Sequence, residues 1–383
     1  MDPVRHRLET STTDRRLGSG WISGVFAVAL GLTGLGAVLC IRYPEVLTVP
    51  EAREVYDLRL IRLLLQFVLA TGFALGIVSI VLRKRKILGF TAIGIILIAT
   101  LLGGSQAQRR FEMDSDVYLG LDWFILNLIF TGIVFVPLER ILGVKDQEIF
   151  RFEWRDDLFY FLVSTLFVQM IVYLTLVPSL AILSHTDLSG VRGWISRQPV
   201  VLQVVEIMFL TDLVQYWVHR IFHRVPFLWK FHALHHSAKV LDWLAAARFH
   251  LFEIVCLRSL TVIPMYVLGF GETALYAYLI IVFFLSSGLH SNIRLNLCFL
   301  KHWFVIPRFH HWHHGIEKEA VDVNFAAHFP LLDWLFGTYY LPADGSWPAG
   351  YGIAQPVPKG FFKQFLYPFS ASKRATESSE GGP

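Results

Sequence analysis

The chain is poor in cysteine and in charge. Its three cysteines, Cys40, Cys256 and Cys298, lie far apart among 383 residues, and no CxxC pair is present. The sequence therefore favours neither a thiolate zinc site nor a disulfide framework. Only 17% of the residues are charged and the formal net charge is +4, so the composition predicts no nucleic-acid partner.

Apolar sequence is abundant instead. Hydrophobic residues make up 54% of the chain, and the mean hydropathy of +0.51 is too high for an ordinary soluble domain. Gly269 and Gly271 separate the last two of eight apolar segments, so we expect eight spans, or six spans and a re-entrant hairpin. The segments cover residues 21–40, 63–82, 87–103, 118–137, 158–183, 201–218, 251–269 and 273–289.

These segments predict an all-α, polytopic integral membrane protein. We expect about four transmembrane helices in residues 1–150 and a domain that carries the functional motifs in residues 151–345. Residues 346–383 form a C-terminal tail, and the stretch after Ser370 is expected to be disordered because it is polar and rich in Ser, Glu and Gly.

Basic residues in short loops predict the orientation of the chain in the membrane. If the N-terminus is cytoplasmic, the basic run at residues 83–86 and the basic residues within 1–20 and 140–155 all lie inside. His219, His250, His290 and His310 then emerge on the cytoplasmic side. We therefore expect a cytoplasmic, histidine-rich helical cap, in a bacterial plasma (inner) membrane or the endoplasmic reticulum.

Histidines are concentrated in two short clusters. The first follows the sixth apolar segment and consists of HxxxH at residues 219–223 and HxxHH at residues 232–236; the second is another HxxHH at residues 310–314. Neutral imidazole is a good ligand for iron, zinc and copper. Eight histidines are too many for one metal and suit two. Clustered carboxylates are absent, which excludes the carboxylate-bridged di-iron bundle.

Polar residues precede the first cluster inside an apolar segment. Asp212, Gln215, His219 and His223 occupy one face of a predicted helix, and ionisable groups in a membrane segment indicate function. We expect Asp212 or Gln215 to accept the outer N–H of a metal-binding imidazole. The alternative is a helix end with polar side chains that reach the membrane surface.

At these motifs the chain resembles the fatty acid hydroxylase / sterol desaturase superfamily of membrane-bound, histidine-rich di-iron enzymes. The resemblance covers about residues 155–345 and leaves the N-terminal helices outside. The matching stretches are YWVHRIFH at 216–223, LWKFHALHHS at 228–237, PRFHHWHHG at 307–315, DVNF at 322–325 and LDWLFGT at 332–338.

The resemblance implies a set of metal ligands and of residues around them. His250 is implied either as a ligand or as a residue behind one, and Leu251 departs from the proline that many relatives have there. Asn292, Asp322 and Asp333 join Asp212 and Gln215 as ligands or residues that orient them, with Asp333 alternatively fixing the turn before Gly337. The implied ligands are His219, His223, His232, His235, His236, His290, His310, His313 and His314.

The resemblance also implies an activity. Two irons, which zinc can replace in a purified protein, would use O2 to hydroxylate or desaturate a C–H bond of a membrane lipid. Electrons would come from a separate reductase or electron-transfer protein, since no nucleotide motif, haem module or cysteine cluster is evident. The alternatives are an alkyl-ether lipid monooxygenase, a histidine-rich metal-binding or transport membrane protein, and a non-catalytic relative. A transporter should hold ligands near the bilayer midplane, whereas these histidines follow helix ends.

Overall fold

The computed structural model of the protein describes residues 18–110, 118–295, 299–355 and 357–370. Regular structure in these residues is helical, apart from two isolated bridges that join Gly143 to Ile293 and Gly315 to Tyr351. The all-α fold class is therefore confirmed. The N-terminal residues to 17 and the tail after Ser370, which we expect to be disordered, lie outside the described residues.

The helices alternate between long apolar segments and short connecting turns. In chain order they are α1 (Trp21–Arg42), α2 (Pro44–Leu47), α3 (Pro50–Val55), α4 (Leu58–Leu82), α5 (Ile87–Leu101), α6 (Leu121–Ile141), α7 (Trp154–Leu166), α8 (Val168–His185), α9 (Ser189–Ser196), α10 (Val200–Arg224), α11 (Pro226–His236), α12 (Leu251–Leu268), α13 (Glu272–His290), α14 (Pro307–His313), α15 (Leu331–Leu335) and α16 (Phe361–Leu366).

Seven of the described helices are long and apolar enough to cross a membrane. They are α1, α4, α5 with the turn that follows it, α6, α10, α12 and α13. The consecutive helices α7 and α8 are bent by 55° and make an eighth span if they cross as one. The eight apolar segments of the sequence correspond to these helices, because a run of about 20 apolar residues satisfies its backbone in a bilayer only as a helix.

The chain divides into two compact units. The first consists of Met1–Ile129 with Thr165–Gln169, and α1, α4 and α5 pack against one another in it. A Cβ on Gly34 would lie 2.6 Å from the Leu69 side chain, and one on Gly89 would lie 2.7 Å from the Gly76 carbonyl. Glycine at these contacts lets the membrane helices approach closely.

The second unit consists of Phe130–Ser164 and Met170–Pro383 and contains every histidine of the predicted site. Helices α12 and α13 pack against α10, and the end of α13 contacts α14. Pro226 begins α11 directly after α10, and the intervening Val225 is extended, as expected for a residue that precedes proline. This corner turns HxxxH of α10 towards HxxHH of α11.

A buried network of ion pairs supports the loop after α11. Arg151 Nη2 lies 2.5 Å from both Asp157 Oδ2 and Asp242 Oδ1, and Arg248 pairs with Asp157 and with Glu153. Burial alone would lower the pKa of both guanidinium groups, but the surrounding carboxylates, with Asp157 the largest contributor, raise it overall. The charges therefore persist in the interior, and they hold the backbone of residue 248 in place.

Candidate metal centre

Nine buried or half-buried histidines form two groups whose nitrogen atoms lie close enough to bind metal ions. Within each group, one nitrogen from every ring lies within 4.8 Å of the others. We call them the five-histidine group and the four-histidine group. The first contains His219, His223, His232, His236 and His313, and the second contains His235, His290, His310 and His314. These are the nine ligands that the resemblance implies, and the structure brings all nine together.

Four helix ends deliver these side chains. HxxxH belongs to the last two turns of α10, HxxHH ends α11, His290 ends α13, and the second HxxHH ends α14. Successive residues of a helix point about 100° apart, so adjacent histidines diverge. His235 and His236 accordingly contribute to different groups, as do His313 and His314.

Two rings of the five-histidine group face each other with unprotonated nitrogens. His219 Nδ1 lies 3.0 Å from the Phe325 carbonyl, and His232 Nδ1 lies 2.5 Å from Glu253 Oε1. The Phe325 carbonyl can only accept, and the Glu253 carboxylate accepts when it is ionised, so that each neutral ring then carries its proton on Nδ1. The two Nε2 atoms, 3.0 Å apart, then present only lone pairs to each other, an arrangement that a cation between them stabilises.

The four-histidine group repeats this arrangement. His235 Nδ1 lies 3.3 Å from the Arg248 carbonyl, and His290 Nδ1 lies 2.9 Å from the Ser286 carbonyl. Their Nε2 atoms are 3.1 Å apart, and His310 Nε2 is 3.0 Å from that of His290. The outer nitrogens of His235 and His290 are hydrogen-bonded and their inner nitrogens are free, as is usual for histidine bound to metal.

Unpaired buried nitrogens are a further feature that suits the histidine groups to metal ions. His223 Nε2, His313 Nε2 and His314 Nδ1 are buried and have no hydrogen-bond partner in the part of the chain that the structure describes. Burial, reinforced by the neighbouring rings, lowers the pKa of the six site histidines on α11 and at the end of α14. Neutral rings with buried, unpaired nitrogens are a donor set that fits two divalent metal ions.

Asp212 and Gln215 do not have the role that their helical spacing suggests. Asp212 is fully buried, and its two oxygens each lie 2.7 Å from a backbone N–H, those of Ala327 and Phe329. Gln215 is half-buried, and no described hydrogen bond joins it to a site histidine. Among the described contacts, neither residue accepts an imidazole N–H from a site histidine. Asp212 instead fixes the loop that follows the DVNF motif. The Phe325 carbonyl belongs to the last residue of that motif.

Asp322 does contact a site histidine, since its Oδ1 lies 3.3 Å from His223 Nδ1. Asp333 does not. Its oxygens accept from the backbone N–H groups of Phe325 and Ala326 and from the Thr338 hydroxyl, so it fixes the turn before Gly337. Asn292 accepts from the backbone N–H groups of residues 144 and 145, and among the described contacts it meets no site histidine.

His250 lies outside both groups. Its Nδ1 accepts from the Phe252 N–H at the start of α12, and its Nε2 donates to the Phe365 carbonyl, 3.1 Å away. His250 is thus not among the grouped histidines, and it caps α12. The structure adds Glu253 to the site, three residues further on. No helical spacing connects Glu253 with His232, so this contact could not be predicted from the sequence.

The helices and the histidine groups define a polytopic membrane protein with a histidine-rich candidate metal centre. Comparison with known proteins shows that residues 204–338 match the model of the fatty acid hydroxylase family. The resemblance drawn from the histidine motifs is thereby confirmed over these residues.

Individual relatives cover different shares of the chain. Ornithine lipid hydroxylase OlsE of Rhizobium tropici is 27% identical over 303 residues, 74% of this chain and 86% of that protein. Very-long-chain aldehyde decarbonylase GL1-1 of Oryza sativa subsp. indica is 28% identical over 63% of this chain and 40% of its own length. Human alkylglycerol monooxygenase is 25% identical over 38% of this chain and 32% of its own length. No solved structure matches the chain significantly.

Proposed function

We propose that the protein is a membrane-bound di-iron oxygenase that uses O2 to hydroxylate a C–H bond of a membrane lipid. The observation that carries the proposal is the pair of histidine groups, in each of which unprotonated Nε2 atoms face one another about 3 Å apart. Imidazole ligands suit iron. The family match and the coverage of 86% of an ornithine lipid hydroxylase support lipid hydroxylation.

The chain's own residues would prepare the site for this chemistry. Two bound irons would supply the activation of O2 needed to attack an unactivated C–H bond. The carbonyls of Phe325, Val323 and Arg248 would hold ligand rings with the proton on Nδ1, so that Nε2 stays available to metal. His232, His235 and His314 are each at most 2% exposed, so water is largely excluded and the reacting atoms are protected.

Alkyl-ether lipid oxygenation is the second candidate. It is favoured by the match to human alkylglycerol monooxygenase, which covers 38% of this chain. The two reactions share the same ligands and differ in the carbon that is placed beside the metals.

Electrons would come from a separate reductase or small electron-transfer protein. We also propose that residues 151–345 form the catalytic domain, that residues 1–150 anchor it in the membrane, and that the histidine groups face the cytoplasm.

Metal analysis and lipid mass spectrometry test the function together. Protein purified without oxygen should contain two irons per chain, or zinc that replaced iron during overexpression. Cells that express the chain should accumulate a lipid that has gained one oxygen atom, whereas loss of two hydrogens would indicate desaturation. His314→Ala should abolish the new lipid, while substitution of the exposed His302 by glutamine should preserve it. Unchanged lipids in cells whose protein carries two irons would contradict the proposal.

A further inference from the structure

Backbone carbonyls lie behind rings of both histidine groups, but only the five-histidine group also meets carboxylates. In the five-histidine group, His232 and His223 meet carboxylates, those of Glu253 and Asp322. In the four-histidine group, His235 and His290 meet backbone carbonyls. No carboxylate contacts a ring of the four-histidine group within the described ranges. A carboxylate behind a metal-bound imidazole makes the ring a stronger donor and adds negative charge near the metal, so the two positions are chemically unequal.

Of the two carboxylates, Glu253 is the more deeply buried and the one without a counter-ion. Its side chain is 4% exposed, its Oε2 has no partner in the described part of the chain, and no described lysine or arginine pairs with it. Asp322, by contrast, is 29% exposed and lies 3.6 Å from the Arg224 guanidinium. A buried carboxylate without a counter-ion is costly. A divalent ion bound on the far side of His232 would supply the missing positive charge.

The first turn of α12 places the Glu253 carboxylate close to His232. Glu253 is the third residue of α12, whose first turn is capped by the His250 side chain. The free N–H groups and the dipole at a helix N-terminus favour a negative charge. The position of His250, between the Phe252 N–H and the Phe365 carbonyl, is thereby explained, because it fixes the turn that carries Glu253.

We propose that Glu253 is the counter-charge and positioning residue of the metal in the five-histidine group, so that this group binds its metal more tightly than the four-histidine group does. The proposal rests on the proposed metal centre and deepens it. Glu253 should affect one metal position only, whereas a residue that stabilised the whole fold would affect both.

Cobalt(II) binding measures each position separately, because its visible absorption reports the ligands. His290→Ala/His310→Ala leaves the five-histidine group, and His219→Ala/His313→Ala leaves the four-histidine group. We expect Glu253→Gln to weaken cobalt binding about 10- to 100-fold in the first background, the usual effect of removing such a partner, and to leave it unchanged in the second. Asp122→Asn is the matched control, because Asp122 is a buried carboxylate in α6 that contacts Tyr56 and no described histidine.

If the double variants fold poorly, the same test can be made in the protein that retains all nine site histidines. Cobalt-loaded wild-type protein should lose its metals to a chelator in two phases, and Glu253→Gln should accelerate the slow phase alone. Equal weakening at both positions, or no weakening at the five-histidine group, would overturn the proposal. If Glu253→Gln binds two cobalt ions and releases them as the wild-type protein does, the proposal for Glu253 is overturned and the metal centre is not. A wild-type chain that binds no cobalt would overturn the metal centre itself.

Discussion

His235 and His236 are neighbours in the chain, but their imidazole rings belong to different histidine groups. The ring planes are 89° apart. His235 Nε2 lies 3.1 Å from that of His290, and His236 Nε2 lies 3.0 Å from that of His232. One peptide unit thus connects both groups, which ties the separation of the two candidate metal positions to the backbone of α11.

This relationship predicts that substituting either neighbour removes one metal and not both. His235→Ala should lower bound metal from two ions per chain to about one, through loss of the four-histidine position. His236→Ala should do the same through the five-histidine position. Metal analysis gives the stoichiometry, and cobalt absorption distinguishes the remaining positions. His302→Ala is the control because that histidine is exposed. Full metal content in His235→Ala would contradict its assignment as a ligand.

The sequence predicts the helices and the histidine set because both depend on local spacing. A long apolar run makes a membrane helix whatever its neighbours are. The separation of His235 from His236 follows from the helical period alone. The same reasoning fails where a contact joins distant parts of the chain.

The residues that support the rings could not be predicted from spacing. Asp212 shares a helical face with His219, yet its oxygens bind the N–H groups of Ala327 and Phe329. His223 meets Asp322, which is 99 residues away in the sequence. Such pairs form only when separate helices and loops pack together. A motif identifies the ligands but does not reveal which carbonyl or carboxylate lies behind each ring.

Removal of Arg248 should destabilise the second unit strongly. The side chain is fully buried and pairs with Asp157 and Glu153, while its carbonyl accepts from His235. Arg248→Met leaves Asp157 with one cationic partner fewer in the interior, which should cost about 3–5 kcal/mol of unfolding free energy. Thermal unfolding in detergent measures the loss. Arg248→Lys should recover only part of it, because lysine lacks the forked geometry. Additive effects of Arg248→Met and Asp157→Asn would contradict the pairing.

His328 should contribute to a loss of stability of the metal-free protein in mild acid. This residue is 1% exposed, and burial lowers its pKa from 6.5 to about 4. Between these values the unfolded chain binds more protons, so stability falls as pH falls from about 6.5 towards 4. The loss should reach up to about 3 kcal/mol, at about 1.4 kcal/mol per pKa unit. His328→Gln should make the pH dependence of unfolding less steep, because the other buried histidines still contribute, whereas His302→Gln should leave it unchanged. Parallel curves for all three proteins would contradict the prediction.

The distribution of basic residues predicts the side of the membrane on which the histidines lie. With the N-terminus inside, the basic run at residues 83–86 and the C-terminal tail both face the cytoplasm. A tag at residue 375, in the tail beyond the described residues, should react with an impermeant reagent only after the membrane is opened.

A cysteine at Lys84, in the turn between α4 and α5, should behave in the same way. It reports the first unit independently of the tail, and a cysteine at Asp57, just before α4, is the matched control that should react in intact cells. Labelling of residue 375 from outside, with Lys84 still protected, would mean that the chain crosses the membrane an odd number of times between them. The bent pair α7–α8 would then be the segment that fails to cross as a full span, because a re-entrant α12–α13 hairpin removes two crossings and leaves the number even. The histidine groups would need to be reassigned to a side.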